Sequence, residues 1–212
     1  MALNAHSGET TFEEICSKFV FIIPPEQREF VWDNSDVRAL ISDVFEHFIQ
    51  AQETFGDEEE DGVSQSSGKY IGAIIGLIVE RFRHSELSLY DGQQRVTTLL
   101  IFMNALSLAL AKRGVDEEDC ERLKVLRDIF IKDHRVPQEN NVLKTVKVPV
   151  LRPHYDYEVD FFKKLQEGKV DDYRKRRSRK SFTKLENAFR ECEAFIKDNF
   201  ENTDEGDTAI LG

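Results

Sequence analysis

Apolar side chains recur along this chain in two rhythms. From Asp33 onward Val37, Leu40, Ile41, Val44, Phe45 and Phe48 fall three or four residues apart, behind the cap candidates Asp33, Asn34 and Ser35. That spacing lines one face of an amphipathic helix. A second helix is predicted from Val96, Leu99, Leu100, Met103, Leu106, Leu108 and Leu110, which leave few polar sides and end near Gly114. Such a pattern suits the central core helix. Residues 116–131 give a third helical pattern, and residues 155–165 and 182–200 give two more.

Strand-like runs lie between them. Residues 19–23, Phe-Val-Phe-Ile-Ile, are β-formers that stop at Pro24-Pro25. Residues 69–80, "KYIGAIIGLIVE", are apolar on both faces, and Gly72 and Gly76 permit close backbone approach. A buried central strand is predicted there, with residues 86–90 returning as a hairpin partner. Residues 144–150 alternate Val146, Val148 and Val150 against Lys147 before Pro149 and Pro153 intervene, the mark of an edge strand. Residues 52–69 carry Asp57-Glu58-Glu59-Glu60-Asp61 and then glycines and serines, too polar to bury surface, so they predict a mobile acidic loop. The fold class expected is α+β. A small mixed sheet flanked by helices would occupy residues 1–153, and a helical portion residues 154–212. The polar tail "ENTDEGDTAILG" leads us to expect the front part of a longer protein.

Composition narrows the function. Of 212 residues, 40% are hydrophobic and 16 are Phe, enough for a sizeable core. With 29 Lys and Arg against 40 Asp and Glu the net charge is -11, so general binding to nucleic acid by charge is excluded and any anion site must be local. Cys16, Cys120 and Cys192 are far apart and form no C-x-x-C pair, which fits a reducing cytoplasm. Neither a leader nor an uninterrupted 18-residue apolar run is present, so neither secretion nor membrane insertion is expected.

The chemistry concentrates where an alternating run becomes helical, at "LYDGQQRVTTL", residues 89–99. If Asp91 caps the helix, Gly92, Gln93 and Gln94 occupy a first turn whose backbone N–H groups lack partners and attract anions. One reading is a capping box between Asp91 and Gln94. The other is a ligand site. Gly92 would admit a ligand to the backbone, Arg95 would meet phosphate oxygens, Asp91 would hold Mg²⁺ or polarise a water, and Gln93 or Gln94 would orient that water. The junction alone leaves both open. A second segment, "IPPEQREFVW" at residues 23–32, adds the stiff Pro24-Pro25, Gln27, a phosphate-sized fork in Arg28, and Trp32, which could stack on a base or staple the next helix.

In order and spacing, "IPPEQREFVW", "YIGAIIGLIV" and "LYDGQQRVTTL" resemble the successive signatures of the GmrS-type family, the ParB/sulfiredoxin-like N-terminal domains of GmrSD-class restriction and phage-defence proteins. Weaker similarity continues through "PHYDYEVDFFKKL" and "SFTKLENAFRECEAFI". The resemblance implies a domain that binds and hydrolyses a nucleoside triphosphate. Asp91, Gly92, Gln93, Gln94 and Arg95 would match the motif essential to turnover, and Pro24, Gln27 and Arg28 the motif lining the same pocket. Family members often carry Tyr where this chain has Phe30, and no cysteine lies near residue 91, so sulfinic-acid reduction is not expected.

His6, His47, His84, His134 and His154 are scattered, giving neither a metal helix nor a nuclease centre. Arg174, Lys175, Arg176, Arg177, Arg179 and Lys180 place six cations in seven residues, either a solvated linker or a contact to the DNA backbone. The expected function is triphosphate hydrolysis, with Mg²⁺, controlling a nuclease outside this chain. Two rivals stand beside it: a non-hydrolysing ParB-like switch that closes a homodimer, and a DNA-binding interaction domain whose DGQQR segment is only a cap.

Overall fold

The computed structural model describes residues 8–55, 69–81, 84–114, 131–137, 143–166 and 180–201. The expected α+β class holds: five α-helices among the described residues surround a four-stranded mixed sheet. Helix α1 spans Phe12–Lys18, opened by a capping box in which Thr11 Oγ1 accepts the Glu14 N–H at 3.1 Å and Glu14 accepts the Thr11 N–H at 3.3 Å. It feeds directly into β1, Phe19–Ile22, whose Val20 and Phe21 are buried.

Helix α2, Asn34–Phe55, begins as its cap candidates predict. Asp33 Oδ1 accepts the N–H groups of Ser35 and Asp36 at 3.0 and 3.2 Å, and Asp36 reaches back to the Asp33 N–H at 3.1 Å. The helix runs past the point where the acidic loop was predicted to start. Gln52 to Phe55 are helical, and residues 56–68 of that predicted loop lie outside the described residues.

Strands β2, Ile75–Arg81, and β3, His84–Asp91, form the expected antiparallel hairpin. The sheet order is β2-β3-β1-β6, with β6 at Leu151–Arg152, and β1 lies parallel to both β3 and β6. This corrects the prediction for residues 69–80. Residues 71–74 are not strand, and β2 is an edge whose Ile75, Leu77 and Ile78 are 57%, 44% and 42% exposed. Two-faced apolarity reads as burial, but here the central positions go to β1 and β3, where Phe21 and Leu89 are fully covered.

Helix α3, Gln93–Lys112, is the core helix, with Val96, Leu99, Leu100, Ile101, Ala105 and Leu110 buried, and it ends before Gly114 at φ +81°. By length and composition it could cross a membrane, yet most of it is buried in this fold. Of residues 116–131, where a further helix was predicted, 116–130 lie outside the described residues, and Ile131 already belongs to strand β4, Ile131–Pro137. That strand pairs antiparallel with β5, Leu143–Pro149, as a separate two-stranded sheet. Helices α4, Asp156–Gln166, and α5, Lys180–Ile196, follow, with a π-turn over Lys197–Glu201. Phe161, Leu165, Leu185, Phe189 and Phe195 from these helices share one buried cluster with Phe21, Ile41 and Leu100. The sheet and the C-terminal helices therefore pack as a continuous interior.

Candidate functional site

Strand β3 ends at Asp91, and the chain turns into α3 through Gly92, whose φ of +85° is a left-handed value that glycine adopts without strain. Gly92, not Asp91, is the residue that caps the helix. Asp91 Oδ1 accepts the Gly92 N–H at 2.8 Å, and Oδ2 lies 3.6 Å from Arg95 Nη2. The capping box between Asp91 and Gln94 does not form, because Gln94 turns elsewhere.

Both glutamines reach across to residues 28–31. Gln93 Nε2 donates to the Arg28 carbonyl at 3.0 Å, Gln94 Nε2 donates to the Glu29 carbonyl at 3.3 Å, and Gln94 Oε1 accepts the Val31 N–H at 3.0 Å. A carboxylate from α4 adds a fourth bond: Glu158 Oε1 accepts the Phe30 N–H at 3.1 Å. Residues 28–33 have no regular secondary structure, so backbone groups that a helix or sheet would satisfy find side chains instead. The two signature segments, some 65 residues apart, are thus one unit. An amide carries both a donor and an acceptor, which is why this task falls to glutamine.

Around this unit lies a cavity of about 10 Å³, room for about one water, lined by Ile23, Arg28, Phe30, Gln93, Gln94, Thr97, Glu158, Phe162 and Leu185. Of these, Arg28 is exposed, whereas Gln93, Gln94 and Glu158 are buried. Gln93 Oε1 is buried and has no hydrogen-bond partner among the described residues. Burial pushes the Glu158 carboxyl up to about 7, against the lowering effect of the Phe30 N–H, and the charge of Glu29 pushes the same way as burial.

Arg95 is placed differently. Its guanidinium donates to the carbonyls of Ala73 and Ile71 at 2.6 and 3.3 Å and lies over Gly72, where any Cβ would clash with it. It is not among the residues lining the cavity with Arg28. The chain that closes on Gly92 is the protein's own: a Cβ there would lie 3.3 Å from the Ala73 carbonyl and 3.2 Å from Ile74. Pro24 is buried, and the Gln27 N–H donates to its carbonyl at 3.0 Å, closing the turn that presents Arg28. Trp32 is half-buried against the core, which fits the packing alternative for this residue. Arg174, Lys175, Arg176, Arg177 and Arg179 lie outside the described residues, and Lys180 is the first residue of α5.

Asp91 is the one carboxylate of the junction, 63% exposed at its side chain. Among the described residues no group of three or more His, Cys, Asp or Glu side chains is arranged to hold a metal. A single exposed carboxylate fits Mg²⁺ that arrives already carried by phosphates.

The sequence reading missed Glu158. Its signal was legible: Glu158, Phe161, Phe162 and Leu165 follow the i, i+3, i+4, i+7 spacing of a buried helix face, where a carboxylate is out of place.

Fold and junction define an α+β domain built on the docking of one signature segment against another. The chain belongs to the family described as the GmrSD restriction endonuclease N-terminal domain, whose model matches residues 9–209. It is accordingly a component of a restriction or defence system. No curated protein matches the chain.

Proposed function

We propose that this domain binds and hydrolyses a nucleoside triphosphate beside the start of α3, and that binding or turnover controls DNA cleavage by a nuclease in the same system. The observation that carries this reading is the water-sized cavity lined by both Arg28, which is exposed, and Gln93, whose buried amide oxygen Oε1 has no partner among the described residues. Arg28 offers a planar fork to phosphate oxygens at the protein surface. Gln93 keeps an acceptor to orient a water, while both amide atoms of Gln94 are already engaged. Water orientation is therefore assigned to Gln93, and Gln94 braces the loop. Arg95 fixes residues 71–73 and holds Asp91 in place for a phosphate-bound Mg²⁺, which would neutralise charge on the phosphates. The phosphates lie over Arg28, outside the small cavity, and only the attacking water enters it.

One observation favours a second reading. Gln94, Arg95 and Gly92 all engage the protein's own backbone, as they would in a domain that binds DNA or a partner and uses this motif only as scaffold. Incubation with each of four nucleoside triphosphates and Mg²⁺ separates the readings. A rise in melting temperature together with phosphate release supports hydrolysis, since a ligand bound only by the folded state stabilises it. Stabilisation without phosphate release would indicate a non-hydrolysing switch. Neither effect with any nucleotide would leave the scaffold reading.

A further inference from the structure

Four hydrogen bonds define the path of residues 28–31, and three of them come from neutral amides on α3. The fourth is different in kind and origin. Glu158 sits on α4, outside the three successive signatures, is only 3% exposed, and grips the Phe30 N–H at the centre of the loop. Phe30 is itself 3% exposed, so its amide has no recourse to water if Glu158 lets go. Two residues upstream is Arg28, and two downstream is Trp32, the one tryptophan of the chain.

We infer that Glu158 is a positioning residue for the Arg28 loop: it holds the Phe30 amide, and the charge it carries sets how firmly the loop is held. An ionised carboxylate accepts the N–H strongly, whereas a protonated one accepts it more weakly. The surroundings make both forms accessible. The loop brings Arg28 to the cavity and Glu29, whose charge disfavours ionisation of Glu158. Helix α3 presents uncharged Gln93, Gln94 and Thr97, α5 presents Leu185, the chain after β1 presents Ile23, and on α4 itself Phe162 completes the lining. His154, ahead of α4, is exposed, with its ring against Tyr155. This burial brings the carboxyl to about 7, where small changes in pH alter its charge.

For the nucleotide the consequence rests on the reading proposed above. Phosphates over Arg28 add negative charge near Glu158 and favour its protonated form, so nucleotide binding takes up a proton and weakens as pH rises. Loop position and nucleotide affinity can be read apart. In the absence of nucleotide, the fluorescence of Trp32 is followed from pH 5 to 9 in the wild type, Glu158→Gln and Glu158→Ala. We expect a transition near pH 7 in the wild type that is lost in Glu158→Gln, which retains an acceptor for Phe30 without titrating. Glu158→Ala should show one altered spectrum at every pH. A wild-type transition that persists in Glu158→Gln, or no transition at all, would overturn the assignment, even if Glu158→Ala fails to fold.

The affinity for a fluorescent triphosphate is then compared at pH 6 and pH 8. A several-fold loss toward pH 8 in the wild type, in excess of that in Glu158→Gln, is expected. Equal pH dependence in the two proteins would refute the coupling. Absence of nucleotide binding with the Trp32 transition intact would refute the nucleotide reading while upholding the role of Glu158 in placing the loop.

Discussion

Gln94 illustrates how a single side chain can be read correctly for place and wrongly for partner. Its position in the first turn of a helix was visible in the sequence, and so was the chemistry of an amide next to an acid and a glycine. Its partners were not, because Glu29 and Val31 lie more than sixty residues upstream and nothing local encodes that distance. Removing it in Gln94→Ala leaves the part-buried Glu29 carbonyl and Val31 N–H without their bonds. A loss of about 1–3 kcal/mol in urea denaturation is expected from two such bonds, and a change below about 0.5 kcal/mol would show that the loop is held otherwise. Glu158 was missed for the opposite reason, since attention to motifs passes over a lone acid on an apolar helix face. Its carboxyl stands near 7 when folded against an ordinary 4.5, so the folded protein keeps a proton that the unfolded chain releases. Wild-type stability should therefore fall between pH 4.5 and 7 and level off above. Relative to the wild type, Glu158→Gln should gain up to about 3 kcal/mol across that window, and parallel stability curves for the two proteins would contradict the buried-carboxyl account.

Among elements, the helices were the more legible. Asp33 announced α2, the apolar spacing announced α3, and Gly114 announced its end, because caps and periodicity are local signals. Strand β1 was equally clear from its run of β-formers before two prolines. Strand β2 was not. Isoleucines and leucine on both faces suggest a buried strand, but sheet order depends on which strands pair, and β3 takes the inner position beside β1. The difference has a measurable consequence. Because Leu77 is 44% exposed on an edge strand, Leu77→Lys should alter stability by less than about 1 kcal/mol. A central buried strand would lose several times that in the same denaturation experiment. Strand β4 escaped notice because a helical pattern was carried through to Ile131, where the chain is already extended.

At the scale of the whole molecule, the sheet, the core helix and the C-terminal helices converge on a short irregular loop that carries Arg28. Strand β1 leads into the loop, α3 supplies two amides, and α4 supplies a carboxylate. An acidic chain of net charge -11 thereby presents Arg28 at a cavity it shares with Gln93, whose buried Oε1 has no partner among the described residues. Arg95, which the sequence paired with Arg28, is engaged by residues 71–73 and contributes to placement rather than to the cavity. The most direct test is the affinity of a fluorescent triphosphate, with Mg²⁺, for the wild type and Arg28→Ala, each checked for unchanged melting temperature. We expect a loss of tenfold or more in Arg28→Ala, equivalent to at least about 1.4 kcal/mol, because the exposed guanidinium meets the phosphates and makes no hydrogen bond or ion pair among the described residues. Equal affinity in the two proteins, or no binding by either, would contradict a triphosphate site at this loop.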